Sequence, residues 1–404
     1  MVNIALLGFG TVGSGCAEVI TKNEKIIAAR LGDTVRIKYI LDLRDFPDSP
    51  FGDRIVHDFS VIRDDPEVSI VAEMMGGVHP AADFTRECIE AGKSVVTSNK
   101  AVVAALGDEL LGLARRHGVR YLFEAAVGGG IPVIRPLIDE LSDNEINSVA
   151  GILNGTTNYI LTEMKLNGTP FDTVLHRAQE LGYAEADPSA DVDGWDAARK
   201  ILILAAIAYG KLLPLDAVKV KGIRDIPAED VSLLAEAGVS VKLVAYAEKE
   251  PDGTIYASVG PSAVMPTCPL CHVDGVFNGV LIDGNVLGET MFYGRGAGKL
   301  PTASAVVSDI IDAAERPVTA QQRLEWKKAT PCDIADGTLF RARRCFILSG
   351  EPTDIPEVCA GEGVVSIGGE GRSAIITSAE LTDDEAMFAT ARLGESCLRV
   401  YRVI

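Results

Sequence analysis

Residues 2–20 read VNIALLGFGTVGSGCAEVI: a short apolar run, three spaced glycines (Gly8, Gly10, Gly13), then a pattern that sets Val12, Cys16, Val19 and Ile20 on one side. That order predicts a buried strand, a tight turn and an amphipathic helix. The first glycine permits the turn, the second lets the backbone approach a pyrophosphate, and the third lets helix and strand pack closely. Amides at the helix start, at Thr11 and Val12, would then face the phosphates. Glycines at this spacing also occur where a helix merely packs on a strand. What makes them specific here is a second strand-like run, VRIKYILDLR over 35–44.

That run is predicted to end at Asp42, whose carboxylate can accept hydrogen bonds from an adenosine ribose and disfavour a 2′-phosphate. Arg44 can instead reach toward such a phosphate, and Asp42 stands about 30 residues beyond the glycines, where about 20 is usual. NAD is favoured by Asp42 and NADP by Arg44; a solvated strand-end pair with no nucleotide role is the plain alternative.

Strand and helix patterns go on alternating through VSIVAEMMGG, PAADFTRECIEAG, KSVVTSNK, AVVAALGDELLGLARRHG and VRYLFEAAVGGG. Short apolar runs between amphipathic helices predict an α/β, Rossmann-type doubly wound parallel sheet over 1–135. Strand ends in such a sheet line the ligand crevice, which singles out Asn99 and Lys100 in TSNK and Glu124 ahead of its glycine run. Past 145 the pattern changes. EINSVAGILNGTTNYILTEM predicts a strand, a polar turn and a helix, and KLVAYAEKEPDGTIYASVG predicts a hairpin about Asp252 and Gly253. Residues 136–294 are expected to form an α+β substrate-binding and dimerisation domain. YGRGAGKLPTASAVVSDIIDAA returns to a glycine turn and a helix starting near Pro301, completing the first domain over about 295–325. It is not a P-loop, since Tyr293 replaces the first glycine and Leu300 follows Lys299. Residues 330–404 carry strands and one clear helix, a small α+β C-terminal domain.

Composition excludes several classes. With 404 residues, 47% of them hydrophobic, the chain can build two or three real cores. A formal charge of -19 without a basic block argues against nucleic acid or an anionic membrane as partner. No apolar run approaches the roughly 20 residues of a membrane span. No secretory leader is visible, and eight cysteines are too few for a disulfide framework. A cytoplasmic protein with reduced thiols, acting on a small molecule, is expected. Cys268, Cys271 and His272 form C-x-x-C-H, but no second such pair supplies the further ligands of a zinc site, and ordinary thiols are expected there.

One segment concentrates charge. In AQELGYAEADPSADVDGWDAARK, 178–200, Glu185, Asp187, Asp191, Asp193 and Asp196 precede Lys200. A helix follows, with Ile201, Leu204, Ala205 and Ala208 as its buried stripe. Asp196 and Lys200 are four apart and share a face; if exposed, the pair contributes only roughly a few tenths of a kcal/mol. Its company argues for more. Glu185 and Asp191 beside Asp196 would repel one another unless a cation, such as a substrate ammonium, sat among them. A lysine there can give a proton to a carbonyl oxygen during hydride transfer, which suits reduction of an amino-aldehyde.

The spaced pattern Ala178, Gly182, Tyr183, Ala184, Asp187, Pro188, Asp191, Val192, Asp193, Gly194, Trp195, Asp196, Lys200 closely resembles the signature of the homoserine dehydrogenases. LLGFGTVGSG, TSNKA, EAAVGGGIPVI, GILNGTTNYIL and GVFNGV are similar to that family too, so the likeness runs from residue 1 to about 325. It implies NAD(P)-dependent interconversion of L-aspartate 4-semialdehyde and L-homoserine, in threonine, methionine and isoleucine biosynthesis. It implies Lys200 as proton donor and Lys100 as a second lysine at the substrate oxygen, bordering the nicotinamide. Glu185 and Asp196 would hold the substrate ammonium, with Asp191 and Tyr183 in support. Gly8, Gly10, Thr11, Val12, Gly13, Asp42, Lys100, Gly296 and Gly298 would line the nucleotide. A monovalent cation, sodium, would lie on Glu124, Val127, Gly129 and Ile131, since oxygen ligands suit a hard cation. A homodimer or homotetramer is implied, without a fused aspartokinase. The tail resembles a shortened ACT-type regulatory domain whose first helix has little room in EPTDIPEVCAGEG, with Pro352 and Pro356. Threonine feedback therefore competes there with a dimerisation or capping role. Two other classes stay open. An aspartate semialdehyde dehydrogenase needs a nucleophilic cysteine beside a base, which no motif here offers. A nucleotide sensor without catalysis would need neither Lys100 nor Lys200.

Overall fold

The computed structural model describes residues 1–315, 324–350, 355–360, 363–369 and 371–404. Its backbone divides into two compact units, one of 1–145, 202–215 and 294–329, the other of 146–201, 216–293 and 330–404.

The first unit is built on β1 (Val2–Leu7), β2 (Val35–Leu41), β3 (Ile55–Val56), β4 (Val68–Glu73), β5 (Ser94–Thr97) and β6 (Tyr121–Leu122), all parallel, in the order β3-β2-β1-β4-β5-β6. In β1, Ile4 to Leu7 are wholly buried, so the strand reads as a continuous apolar run because helices cover both faces. Strand order reverses beside β1, the switch point at which such sheets open a ligand crevice. The helices are α1 (Thr11–Lys22), α2 (Glu24–Leu31), α3 (Ser60–Arg63), α4 (Ala81–Glu90) and α5 (Lys100–His117). A later helix, Lys299–Glu315, packs on α1 and begins two residues before Pro301, leaving the proline in its first turn where a missing N–H is harmless.

The second unit carries β7 (Ile146–Ile152), α6 (Gly155–Asn167), α7 (Phe171–Glu180) and α8 (Ser189–Val192), and the start of α9 (Trp195–Tyr209). Strands continue with the short β8 (Lys211–Leu212) of the first unit, β9 (Lys219–Val220), β10 (Ser240–Lys249), β11 (Ile255–Val264), β12 (Phe277–Gly284) and β13 (Gly288–Arg295). β10 and β11 form the expected hairpin, Lys249 opposite Ile255, with Gly253 at φ +87° in the turn. The sheet runs β13-β12-β7-β10-β11 and continues through Cys397–Val403, Arg344–Ser349, Arg372–Ile376 and Val365–Gly369. The last strand joins β11 in parallel, Ser262 opposite Arg402. Helix α10 (Ala228–Glu236) is tied to these strands by wholly buried Asp230, which accepts from Arg399 at 2.8 Å, from the Tyr401 hydroxyl at 2.9 Å and from Arg372.

NGTTNY differs from expectation. It is not a polar turn but the first turn of α6, because Asn154 accepts from the Thr157 N–H at 2.9 Å and so satisfies an orphan amide of the helix end. In the tail, Pro352 lies outside the described residues, and Pro356 precedes a single 3-10 turn at Glu357–Cys359. Among the described residues no helix is long and apolar enough to cross a membrane.

Candidate active site

The three glycines after β1 serve three separate ends. Gly8 sits at φ +93°, where a Cβ would stand 3.0 Å from the Met74 carbonyl oxygen. A Cβ on Gly13 would fall 2.1 Å from the Gly8 carbonyl oxygen, whereas one on Gly10 would meet nothing within 4 Å. Helix α1 has no side-chain cap, so the amides near Thr11 and Val12 face that open space and suit a phosphate. The adjoining cleft, about 1390 Å³, is lined by Phe9, Gly10, Thr11, Arg44, Phe46 and Lys299. Gly15, which sequence inspection passed over, is needed too: its Cβ would stand 2.8 Å from the Lys299 carbonyl oxygen.

Asp42 and Arg44 are hydrogen-bonded to one another. The carboxylate accepts from the Phe9 N–H at 2.8 Å and from the Arg44 guanidinium at 3.1 and 3.2 Å. Burial works to raise the Asp42 carboxyl, but Arg44 and the amides of Phe9 and Arg44 outweigh it and hold it below the usual range. The pair still leaves Arg44 64% exposed, with its face over Phe46.

Lys100 is the first residue of α5, and a polar node of Asn99 and the unpredicted Glu73 sets its backbone. Glu73, wholly buried at the end of β4, accepts from the Thr97 hydroxyl at 2.6 Å and the Met75 N–H at 2.8 Å. Asn99 caps α5 and donates to the Gly77 carbonyl at 2.7 Å and to Glu73 at 3.4 Å. Burial pushes the Glu73 carboxyl up despite these donors.

The Glu124 carboxylate takes three amides of the following segment, Val133, Ile134 and Arg135, each at 2.8 Å. Its own N–H donates to Asp309, which also pairs with Arg135 at 2.9 Å. Burial pushes Glu124 up, and burial together with the Glu124 charge pushes Asp309 to about 7. Gly129 lies against the buried Gly296; a Cβ on Gly129 would come within 2.4 Å of the Gly296 carbonyl oxygen. Gly298 sits at φ +122°. The turn closes with the Ile131 N–H on the Gly128 carbonyl at 2.9 Å, and the carbonyls of Val127, Gly129 and Ile131 are the oxygen chemistry that a hard cation takes.

In the second unit the five acids before Lys200 separate. Asp187 caps the Ser189 N–H, Asp193 is held by Arg224, and the Glu185 side chain is exposed. Only Asp191 and Asp196 come together, through Asn154, whose Nδ2 donates to Asp191 at 2.7 Å and to Asp196 at 2.9 Å. Lys200, 8% exposed, donates from Nζ to Asp196 Oδ2 and to the Leu153 carbonyl, both at 2.7 Å. Tyr183 packs edge-on against Tyr159, and its carbonyl accepts from the Thr156 hydroxyl at 2.7 Å. Burial and then the Asp196 charge push the Asp191 carboxyl up, against the Asn154 amide and Lys200. Asn154, Thr156 and the Leu153 carbonyl were not predicted as site groups.

All eight cysteines are free thiols. Burial pushes Cys16, Cys88 and Cys345 up to about 12, which makes them unfit as nucleophiles. Among the described residues no cluster of histidine, cysteine and acids could hold a metal ion, and Cys271 instead contacts the Gly238 carbonyl and Ser240.

A parallel sheet with a glycine turn open to phosphate, in one chain with a buried lysine–carboxylate pair, defines a nicotinamide-dependent oxidoreductase. Family comparison narrows the class. Residues 8–124 match the homoserine dehydrogenase NAD binding domain, and residues 132–311 match homoserine dehydrogenase. Homoserine dehydrogenase of a Synechocystis strain is 46% identical over 317 residues, 77% of this chain and 73% of that protein. The crystal structure of a homoserine dehydrogenase from Thiobacillus denitrificans superposes with TM-score 0.87 at 34% identity, over 100% of this chain and 98% of that one. A hyperthermophilic archaeal homoserine dehydrogenase in complex with NADPH superposes with TM-score 0.65 at 30% identity, over 77% of this chain and 97% of that one. The chain belongs to the homoserine dehydrogenase family.

Proposed function

We propose that this chain interconverts L-aspartate 4-semialdehyde and L-homoserine with NAD(P), on the path to threonine, methionine and isoleucine. The observation that carries this is Lys200: a buried ammonium with two of its three donors on Asp196 and the Leu153 carbonyl, which leaves one for a substrate oxygen. A nicotinamide held in the first unit would supply the hydride chemistry at C4 in either direction. Lys200 gives its proton to the forming alkoxide, and its charge stabilises that oxygen as it develops. In the oxidative direction the same side chain takes the hydroxyl proton as the hydride leaves C4. Asp196 aims Lys200. Asp196 and Glu185 hold the substrate ammonium, with Asp191 and Tyr183 in support, and Lys100 assists at the substrate oxygen.

Gly8, Gly10, Thr11, Val12, Gly13, Asp42, Lys100, Gly296 and Gly298 would hold the nucleotide. Asp42, already receiving the Phe9 amide, would accept from the ribose, while the exposed Arg44 guanidinium would support acceptance of NADP beside NAD. Sodium would be held by Glu124 and the carbonyls of Val127, Gly129 and Ile131. A cytoplasmic location fits the free thiols, and a homodimer or homotetramer follows from the family resemblance. Residues 330–404 serve as an ACT-like regulatory or capping region.

The test is reduced-nicotinamide absorbance with L-homoserine and either NAD or NADP, for the wild type and Lys200→Ala. Loss of about 10²–10⁴-fold in kcat, with nucleotide binding retained, is expected. The faster nucleotide decides between Asp42 and Arg44. No turnover by the wild type with either nucleotide would leave a sensor in place of an enzyme.

A further inference from the structure

Asn154 is 5% exposed and uses its whole carboxamide. Oδ1 accepts from the Thr157 N–H at 2.9 Å and the Thr157 hydroxyl at 3.1 Å; Nδ2 donates to Asp191 and Asp196. Its orientation is forced from both ends, since a flipped amide would aim oxygen at two carboxylates and nitrogen at a backbone N–H. Asp196 Oδ2 thus receives Asn154 and Lys200 together, at 2.9 and 2.7 Å. We propose that Asn154 is a positioning residue for proton transfer: by giving one N–H to each of Asp191 and Asp196, it holds two mutually repelling carboxylates in place and so keeps Asp196 on Lys200.

The groups facing this pair are Lys200 and Asp196 from α9, Asp191 from α8, and Asn154 with Thr156 at the start of α6. Without the amide, Asp191 either takes a proton or displaces Asp196. The first outcome removes a charge from the ammonium site; the second misaims Lys200. A misplacement near 1 Å can lower a rate by about 10²-fold. The inference rests on Lys200 being the proton donor.

Capping is the competing role, and substitution separates the two. Serine and aspartate cap a helix about as well as asparagine, but neither can give N–H groups to two carboxylates. Asn154→Ser and Asn154→Asp are therefore compared with the wild type in kcat, KM, the pH profile of kcat/KM, and unfolding midpoint between pH 5 and 8. Expected are a kcat loss on the order of 10- to 100-fold, larger for Asp than Ser, and an acid limb displaced to higher pH. Destabilisation should grow with pH. Asp191 already has a folded-state value above its unfolded one, so its contribution falls as pH rises, and losing a donor deepens that fall. Kinetics within about twofold of wild type, or a stability loss flat in pH, would leave capping alone and overturn the proposal. If the wild type shows no turnover, the functional reading fails, and the pH-graded stability still decides the bridge. If both variants fail to fold, adding Asp191→Asn removes one of the two charges: recovery supports the bridge, and no recovery overturns it.

Discussion

Helices α5 and α6, one in each unit, begin in the same way, and the difference between their caps is instructive. Asn99 accepts from the Ala101 and Val102 amides at 3.2 and 3.3 Å, and Asn154 accepts from the Thr157 amide. Each has an NH₂ left over. Asn99 gives its shorter bond, 2.7 Å, to a neutral carbonyl and barely reaches the Glu73 carboxylate at 3.4 Å. Asn154 gives both bonds to carboxylates at 2.7 and 2.9 Å. The cap requires only the oxygen; what the nitrogen touches decides whether the residue is a helix terminator or part of a charged site. Charge-assisted bonds of the second kind are the stronger ones, roughly twice a neutral bond.

The comparison breaks most visibly at Asp196. Asp196→Asn keeps the shape and, with its amide oxygen in the place of Oδ2, an acceptor for both Asn154 and Lys200, but removes the negative charge beside the lysine. Because the buried lysine would then touch only neutral oxygens, kcat should fall on the order of 10²-fold, measured by steady-state turnover of L-homoserine. A fall under twofold would mean that Lys200 needs no carboxylate. Glu73 tests the other cap and should move stability more than rate. Glu73→Ala strands the Thr97 hydroxyl, the Met75 N–H and one Asn99 N–H in a buried place, at about 1–3 kcal/mol for an unsatisfied group. Glu73→Gln keeps an acceptor and should lose less than half as much in urea unfolding. Equal losses would show that Glu73 acts through its charge, which would make the two caps alike.

The sequence made the frame of both units legible for local reasons. Gly8, Gly10 and Gly13 lie within six residues, strand and helix periods show inside short windows, and Asp196 with Lys200 is a four-residue relation that the helix turns into a 2.7 Å contact. Long-range polar partners were not legible. Asn154 reaches acids 37 and 42 positions later, and its NGTT context reads equally well as a turn. Nor could spacing distinguish the acids themselves. Asp193 is held by Arg224 and Asp187 by the Ser189 amide, while Glu185 stays exposed; only the fold of α8 against α6 selects Asp191. Glu124, noticed as a strand-end acid, turned out to gather three amides of its own chain.

A third buried carboxylate sharpens the contrast with the smallest effect. Asp309 has an arginine in place of an asparagine: Arg135 stands at 2.9 Å, itself 3.9 Å from Asp312, and the Glu124 N–H completes the site. Despite that cation, burial and the Glu124 charge hold Asp309 at about 7, above its ordinary 3.8. A carboxyl with a raised folded-state value binds its proton more tightly folded than unfolded, so its contribution to stability falls as pH rises from about 4 to about 7. One such group gives a slope on the order of 1 kcal/mol per pH unit between pH 5 and 6. Asp309→Asn cannot titrate. Its unfolding free energy relative to the wild type should therefore improve across that interval, beginning at pH 5 where the wild-type carboxyl is itself protonated. A difference that stays constant from pH 5 to 7 would mean that Arg135 keeps Asp309 ionised. A cation would then suffice where Asn154 supplies a neutral bridge.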